Sequence, residues 1–206
     1  MTWLPYLLTA AIGYLLGCSS MALYLSKIKG VDMRASGSGN LGASNAMVLM
    51  GWSAGVLVAV HDIGKAIIAV LLAQWFWPQA AHIGAVAGIA CVLGHMFPFY
   101  LRFKGGKGLA SYIGLTIALN WKFALVVMLI VALVTLITDY IVIGTVTTVI
   151  IVPAYLSFMA HSLLLLAILG LGTSIILYKH RENYRRILNG TEIGLRRAHR
   201  GDDRQV

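Results

Sequence analysis

Charge is what this chain has least of. Asp, Glu, Lys and Arg make up 11% of its 206 residues, against about 25% in a soluble globular domain. A surface that poor in charge excludes a water-soluble fold. A disordered tail is excluded as well, because 59% of the residues are hydrophobic and the mean hydropathy is +0.84. Acidic residues are the scarcer sign, 7 against 16 basic, for a net charge of +9. In a soluble protein that excess would suggest a polyanion. In a membrane protein it is the ordinary enrichment of Lys and Arg on cytoplasmic loops, so no nucleic-acid partner is expected. Cysteine is nearly missing. Cys18 and Cys91 both sit in apolar runs and read as packing residues, not as a disulfide or a metal pair. No HxxxH or HxxE spacing relates the histidines, and there is neither a GxSxG elbow nor a P-loop GK[ST], so no metal and no cofactor is expected.

What is present is a succession of long apolar runs. A bilayer core of about 30 Å takes about 20 helical residues. Trp3–Ser26 meets that length without a charge. No basic segment precedes it, so it reads as a first membrane helix and not as a cleaved leader. Lys27 and Lys29 follow it, which places the N-terminus outside. Further spans are expected over about Trp52–Trp77, Ala80–Leu101, Tyr140–Ala160 and Ser162–Tyr178, with Pro153 a candidate kink. Leu109–Thr138 is either one long helix or a hairpin of two short ones broken at Asn120-Trp121-Lys122. A single helix would leave the arginine-rich C-terminus outside, against the positive-inside rule, so the hairpin is preferred. The expectation is an all-α polytopic membrane protein of seven transmembrane helices, N-terminus outside and C-terminus cytoplasmic. Residues 1–192 form one domain in this reading, and 193–206 a basic cytoplasmic tail on the lipid surface.

That topology gathers three polar, glycine-bearing stretches on the cytoplasmic side. The first is Ser36-Gly37-Ser38-Gly39-Asn40-Leu41-Gly42-Ala43-Ser44-Asn45. Its glycines let successive N–H groups point at one anion, and its serines and asparagines add donors. A plain Gly/Ser linker is the alternative. The second is Arg102-Phe103-Lys104-Gly105-Gly106-Lys107-Gly108, a compact cationic nest or a loop contacting anionic lipid heads. The third follows the last span: His180-Arg181-Glu182-Asn183 and Asn189-Gly190-Thr191-Glu192. His180, Arg181 and Asn183 suit an oxyanion or hydroxyl; a solvated amphipathic helix end, with Glu182 paired to Arg185 or Arg186, is the alternative. Asp62 and Lys65 stand apart, an i, i+3 pair inside an apolar helix. They are either functional or a structural ion pair.

These stretches, together with Gly94-His95-Met96-Phe97-Pro98, resemble the PlsY family over nearly the whole chain and in order. The resemblance implies a bacterial integral-membrane enzyme of the cytoplasmic (inner) membrane with its active site on the cytoplasmic side. It implies transfer of a fatty acyl group from acyl phosphate to glycerol 3-phosphate, giving lysophosphatidic acid and phosphate for phospholipid synthesis. Acyl phosphate is already activated, so positioning and charge stabilisation suffice and no cofactor is needed. On that resemblance Ser36, Gly37, Ser38, Gly39, Asn40, Ser44 and Asn45 bind the acyl-phosphate head. Lys104, Lys107, His180, Arg181 and Asn183 bind the acceptor. Lys104, His180 and Asn183 are the catalytic candidates, with His180 or a substrate phosphate oxygen as general base. The acyl chain lies between helices, open to membrane lipid, and a monomer is expected.

The chain departs from the family at three positions. Where the family reads Asn-x-x-Arg-x-x-Gly, this chain has Asn45-Ala-Met-Val48-Leu-Met-Gly51. Where it reads Thr-[Arg/Lys]-Tyr-Val-Ser, this chain has Thr138-Asp139-Tyr140-Ile141-Val142. Each change removes anion affinity; a lost guanidinium–phosphate contact is worth about 1.5–3 kcal/mol. Two further readings follow: an acyltransferase with a neutral or amine acceptor, and a non-catalytic lipid-binding membrane subunit.

Overall fold

The computed structural model describes residues 3–192 and 194–196, and every regular element among them is helical. Of the expected tail over 193–206, only Gly194–Arg196 lie within the described residues. Contacts divide the chain into two units, Met1–Leu119 and Asn120–Val206.

The first unit contains α1 (Leu4–Cys18), α2 (Met21–Lys29), α3 (Ala43–Met50), α4 (Trp52–Phe76), α5 (Ile83–Met96), a 3-10 turn at Phe99–Leu101, and α6 (Leu109–Leu119). The expected first span is therefore interrupted. Ser20 turns extended, and its side chain accepts the Leu23 N–H at 3.3 Å, starting a new helix at Met21. That local bond offers the backbone an alternative to continuing α1. α1 packs on α5 through glycines. A Cβ on Gly17 would stand 2.0 Å from the Cys91 carbonyl oxygen, and one on Gly94 2.0 Å from the Tyr14 carbonyl oxygen. Lipid tails are as apolar as leucine, so such close backbone approach, and not hydrophobic drive, holds membrane helices together. Cys18 and Cys91 are both buried free thiols.

Polar atoms fill the centre of this unit. Lys65 Nζ lies 2.7 Å from Asp62 Oδ1 and 3.0 Å from His95 Nδ1, and it donates to the Ser19 carbonyl at 2.8 Å. His61 reaches Asp62 Oδ1 at 3.4 Å and Ser19 Oγ at 3.0 Å. Asp62 is 2% and Lys65 6% exposed. The i, i+3 pair is thus a buried ion pair, and His61 and His95, scattered in sequence, flank it.

The expected break after α6 is present. Asn120 is extended, and its Oδ1 accepts the Phe123 N–H at 3.0 Å. The two halves are not both short, however: α6 has 11 residues and α7 (Trp121–Thr138) has 18, a full span's length. Capping, not hydrophobic length, sets where the helices divide.

The second unit continues with α8 (Ile141–Met159), α9 (Leu163–Lys179) and α10 (Arg181–Leu188). α7 ends on Asp139 in the left-handed region, φ 70°, a conformation that Asp tolerates better than most residues. Ser162 caps α9 through the Leu165 N–H at 3.1 Å. Phe123 stacks on Tyr155 with ring centroids 3.9 Å apart, joining α7 to α8. Thr173 Oγ1 donates to the Val149 carbonyl at 2.7 Å, joining α9 to α8. α8 runs unbroken through Pro153. α9 and α10 meet at a 46° bend.

Among the described residues, five segments can cross a membrane by length and composition: Leu4–Lys29, Trp52–Phe76, Ile83–Leu101, Trp121–Thr138 and Ile141–Met159. Counting Leu163–Lys179 with its bent partner Arg181–Leu188 makes six. At 1.5 Å per residue α6 reaches only about 16 Å. It is apolar but short, and Ser111, Tyr112, Leu115 and Thr116 are buried.

Removing one partner from a buried ion pair leaves the other charge uncompensated, at about 3–5 kcal/mol. Lys65→Met is therefore expected to lower the thermal midpoint of the detergent-purified protein sharply, whereas the Asp62→Leu/Lys65→Met double variant recovers most of it. A single variant as stable as the parent would overturn the pairing.

Candidate active site

In the first unit the loop before α3 is shaped from inside by one side chain. Asn45 is 2% exposed. Its Oδ1 accepts the Ser38 N–H at 2.9 Å, and its Nδ2 donates to the carbonyls of Met33 and Asn40 at 3.0 Å and of Ser36 at 3.3 Å. The amide is fully engaged within the loop. Gly37 and Gly39 take left-handed conformations, φ 60° and 66°, and a Cβ on Gly37 would stand 2.3 Å from Asn45 Oδ1. The left-handed glycines allow the tight turns of the loop, and the Gly39 N–H is spent within it on the Ser36 carbonyl at 3.2 Å. Ser38 and Ser44 are exposed at its rim, while Ser36 and Asn40 are half-buried. The N-terminal turn of α3 stands behind the loop, adding the positive end of a helix dipole.

The second glycine stretch joins the first through a residue that the sequence reading passed over. Arg34 donates to the Lys104 carbonyl at 3.0 Å and the Leu101 carbonyl at 3.4 Å. Asp32 Oδ1 fixes the preceding turn by accepting the N–H groups of Arg34 and Ala35 at 2.9 and 3.2 Å. The signal was a charged pair two residues apart just ahead of the glycine loop. Beneath, Gly106 N–H donates to the His95 carbonyl at 3.0 Å and Gly105 N–H to that of Met96 at 3.0 Å. A Cβ on Gly106 would stand 2.0 Å from His95 Nε2, so only glycine allows the loop to lie on that ring. Lys104 is exposed and Lys107 half-buried on this platform. Two of the three polar stretches are thereby brought together within one unit, on the network built around Lys65.

In the second unit, His180 sits at the bend between α9 and α10, 5% exposed. Its Nδ1 lies 2.9 Å from the Ile176 carbonyl. A carbonyl only accepts, so Nδ1 carries a proton and points it at that carbonyl. The Tyr184 ring lies against it at 6.4 Å, and the buried Tyr184 hydroxyl has no hydrogen-bond partner among the described residues. Asn183 is buried, and its Nδ2 donates to Glu192 Oε1 at 2.6 Å. Glu192 also binds Arg186 Nε at 2.6 Å, and of the two expected partners Glu182 pairs with Arg185, at 3.3 Å, beside Arg181 at 3.5 Å. Arg181 is exposed, its guanidinium 4.2 Å from the Tyr178 ring centre.

The departing positions are placed as follows. Val48 is half-buried on α3, and Val142 is buried in the first turn of α8. Asp139 holds the backbone N–H of Arg196 at 2.9 Å and lies 3.9 Å from that residue's Nε. Its charge thus has a cation beside it.

Residues 7–190 match the family model described as glycerol-3-phosphate acyltransferase. Similar proteins include glycerol-3-phosphate acyltransferase 1 of Oceanobacillus iheyensis, 33% identical over 92% of this chain and 95% of that one. The glycerol-3-phosphate acyltransferase of Mesorhizobium japonicum is 38% identical over 90% and 94%. Among solved structures, the glycerol 3-phosphate form of PlsY, an integral membrane glycerol 3-phosphate acyltransferase, superimposes with a TM-score of 0.86. It is 34% identical and covers 92% of this chain and 95% of its own. The lysophosphatidic acid form superimposes with a TM-score of 0.83 at 33% identity. With a family model spanning nearly its whole length, relatives above 30% identity and the matching fold, this chain belongs to the glycerol-3-phosphate acyltransferase family.

Proposed function

We propose that this membrane protein transfers a fatty acyl group from acyl phosphate to the first hydroxyl of glycerol 3-phosphate, releasing phosphate and lysophosphatidic acid. The observation that carries this reading is the loop at Ser36–Asn45. Two left-handed glycines fold it tightly, a buried asparagine locks its shape, and the Ser38 and Ser44 side chains stand exposed at its rim. That is a phosphate cradle, in a chain whose relative was solved in glycerol 3-phosphate and lysophosphatidic acid forms.

In this reading the hydroxyl oxygen attacks the acyl carbon, a C–O ester bond forms, and the acyl–phosphate C–O bond breaks with its electrons leaving on phosphate. Gly37, Ser38, Gly39 and Asn40 hold the donor phosphate, with Ser36 and Ser44 at the rim. Asn45 acts on the loop's shape. Lys104 neutralises the phosphate charge that grows as the bond breaks, and Lys107 reinforces it. His180, Asn183 and Arg181 receive the acceptor. The hydroxyl proton passes to His180 Nε2 or to a phosphate oxygen of the substrate. The reaction takes place at the cytoplasmic face of the inner membrane, with α6 as a short seventh crossing packed in the protein interior and a single chain as the active unit. The orthodox acceptor is favoured over a neutral or amine one because the Asp139 carboxylate lies beside Arg196, which offsets the repulsion it would exert on a phosphate.

Phosphate release from palmitoyl phosphate by the purified protein should require glycerol 3-phosphate and yield lysophosphatidic acid. Release driven by glycerol or an amine alone would move the acceptor, and no release under any acceptor would leave a lipid-binding subunit. Lys104→Ala removes a charge-assisted contact of about 1.5–3 kcal/mol, so kcat/KM should fall at least tenfold. An unchanged value would remove Lys104 from the site. His180→Gln separates the two proton acceptors. If Nε2 is the base, kcat drops by 100-fold or more and the acidic limb of the pH–rate profile near the imidazole range disappears. A retained profile assigns the proton to substrate phosphate.

A further inference from the structure

Asp139 looks from the sequence like a lost cation. Its surroundings show a different use. It ends α7 in the left-handed conformation, and from there it accepts two hydrogen bonds from a second segment of chain. Its carbonyl accepts the Leu195 N–H at 2.8 Å and its Oδ1 the Arg196 N–H at 2.9 Å. The Arg196 guanidinium bends back to donate to the Leu136 carbonyl at 2.8 Å, one of the carbonyls that α7 leaves open at its C-terminus. Gly194 is buried against the carboxylate; a Cβ there would stand 1.9 Å from Asp139 Oδ2. The fit is made by absence of a side chain on one strand and presence of a carboxylate on the other.

The same segment is tied a second time, two residues earlier. The N–H groups of Thr191 and Glu192 both donate to the Arg186 carbonyl, at 2.8 and 3.2 Å. The Glu192 carboxylate is shared between Arg186 Nε and Asn183 Nδ2, each at 2.6 Å. Glu192 therefore holds the Asn183 amide, and it stands two residues before the segment Gly194–Arg196 that Asp139 anchors.

We propose that Asp139 is a positioning residue for acyl transfer. It anchors a strap, described at residues 191–192 and 194–196, that holds Glu192 against Asn183 and so sets the orientation of the Asn183 amide. Asp139 itself touches no substrate. This rests on the reading of Asn183 as part of the acceptor site. It predicts that the hydrogen-bonding oxygen at 139 matters and its negative charge does not.

The test uses the full chain in detergent, palmitoyl phosphate and glycerol 3-phosphate, and three variants. Asp139→Asn keeps an Oδ1 acceptor without charge. Asp139→Gly removes the side chain, and both residues accept the left-handed backbone, so neither adds strain. Gly194→Ala displaces the strap from its other side without altering any charge. We expect kcat to stay within twofold of the parent for Asp139→Asn. For Asp139→Gly and Gly194→Ala it should fall tenfold or more, with KM for palmitoyl phosphate within twofold. Limited trypsin digestion should cut after Arg196 in those two variants far faster than in the parent or in Asp139→Asn. If Asp139→Asn and Asp139→Gly both lower KM for glycerol 3-phosphate and raise turnover, the carboxylate repels the acceptor and the proposal fails. It fails equally if Asp139→Gly keeps the parent's kcat, or if the strap loosens to trypsin without a change in kcat. A parent protein that makes no lysophosphatidic acid would instead sink the enzymatic reading on which the proposal stands.

Discussion

The first unit depends on a single buried ammonium. Lys65 Nζ lies within hydrogen-bond reach of a carboxylate on its own helix, an imidazole on α5 and a backbone carbonyl at the break between α1 and α2. A charge in an apolar interior is tolerated only when every donor has a partner. Satisfying this one therefore fixes three elements at once. It gives the α1–α2 interruption a purpose, since a continuous helix would keep the Ser19 carbonyl for its own ladder. It also fixes His95, whose ring and carbonyl form the floor under Gly105 and Gly106. The cationic loop is laid on a polar core that belongs to the fold.

The same economy runs through the phosphate cradle. Nothing in the Ser36–Asn45 loop presents a cation to a ligand. The groups it exposes at its rim are the Ser38 and Ser44 side chains, and the residues that shape it (Asn45 from beneath, Arg34 from the side, Asp32 at the entering turn) spend their polar atoms on the chain itself. Donors held in place beforehand need no reorganisation when charge shifts onto phosphate. That suits an activated donor whose chemistry asks for placement and little else.

Much of this was legible in one dimension. Runs of about twenty apolar residues announced the spans, and glycines spaced among serines, asparagines and lysines announced the loops. The break at Asn120 was visible because an asparagine, a tryptophan and a lysine interrupt an apolar run. Less legible was which polar residue faces a ligand and which faces the protein. Asn45 and Ser38 look alike as donors in the sequence, yet one is sealed and the other exposed. Asp139 read as a repulsive charge because the partner that offsets it lies 57 positions away. Of the two partners that helical spacing offered Glu182, Arg185 is the one it pairs with, while Arg186 goes to Glu192, which a turn after α10 brings back to it.

Composition and local pattern determined the membrane environment, the helical class, the positions of the glycine loops and the family. Each of those depends on hydropathy or on neighbours a few residues apart, and such information is carried by the chain itself. The tertiary structure decided the roles. It made Asp62 and Lys65 a structural pair by closing His61, His95 and Ser19 around them. It turned Asn45 inward, and it placed Gly194 and Arg196 against Asp139. These outcomes rest on contacts between residues far apart in sequence, whose distances are set only when helices pack closely enough for backbone to meet backbone.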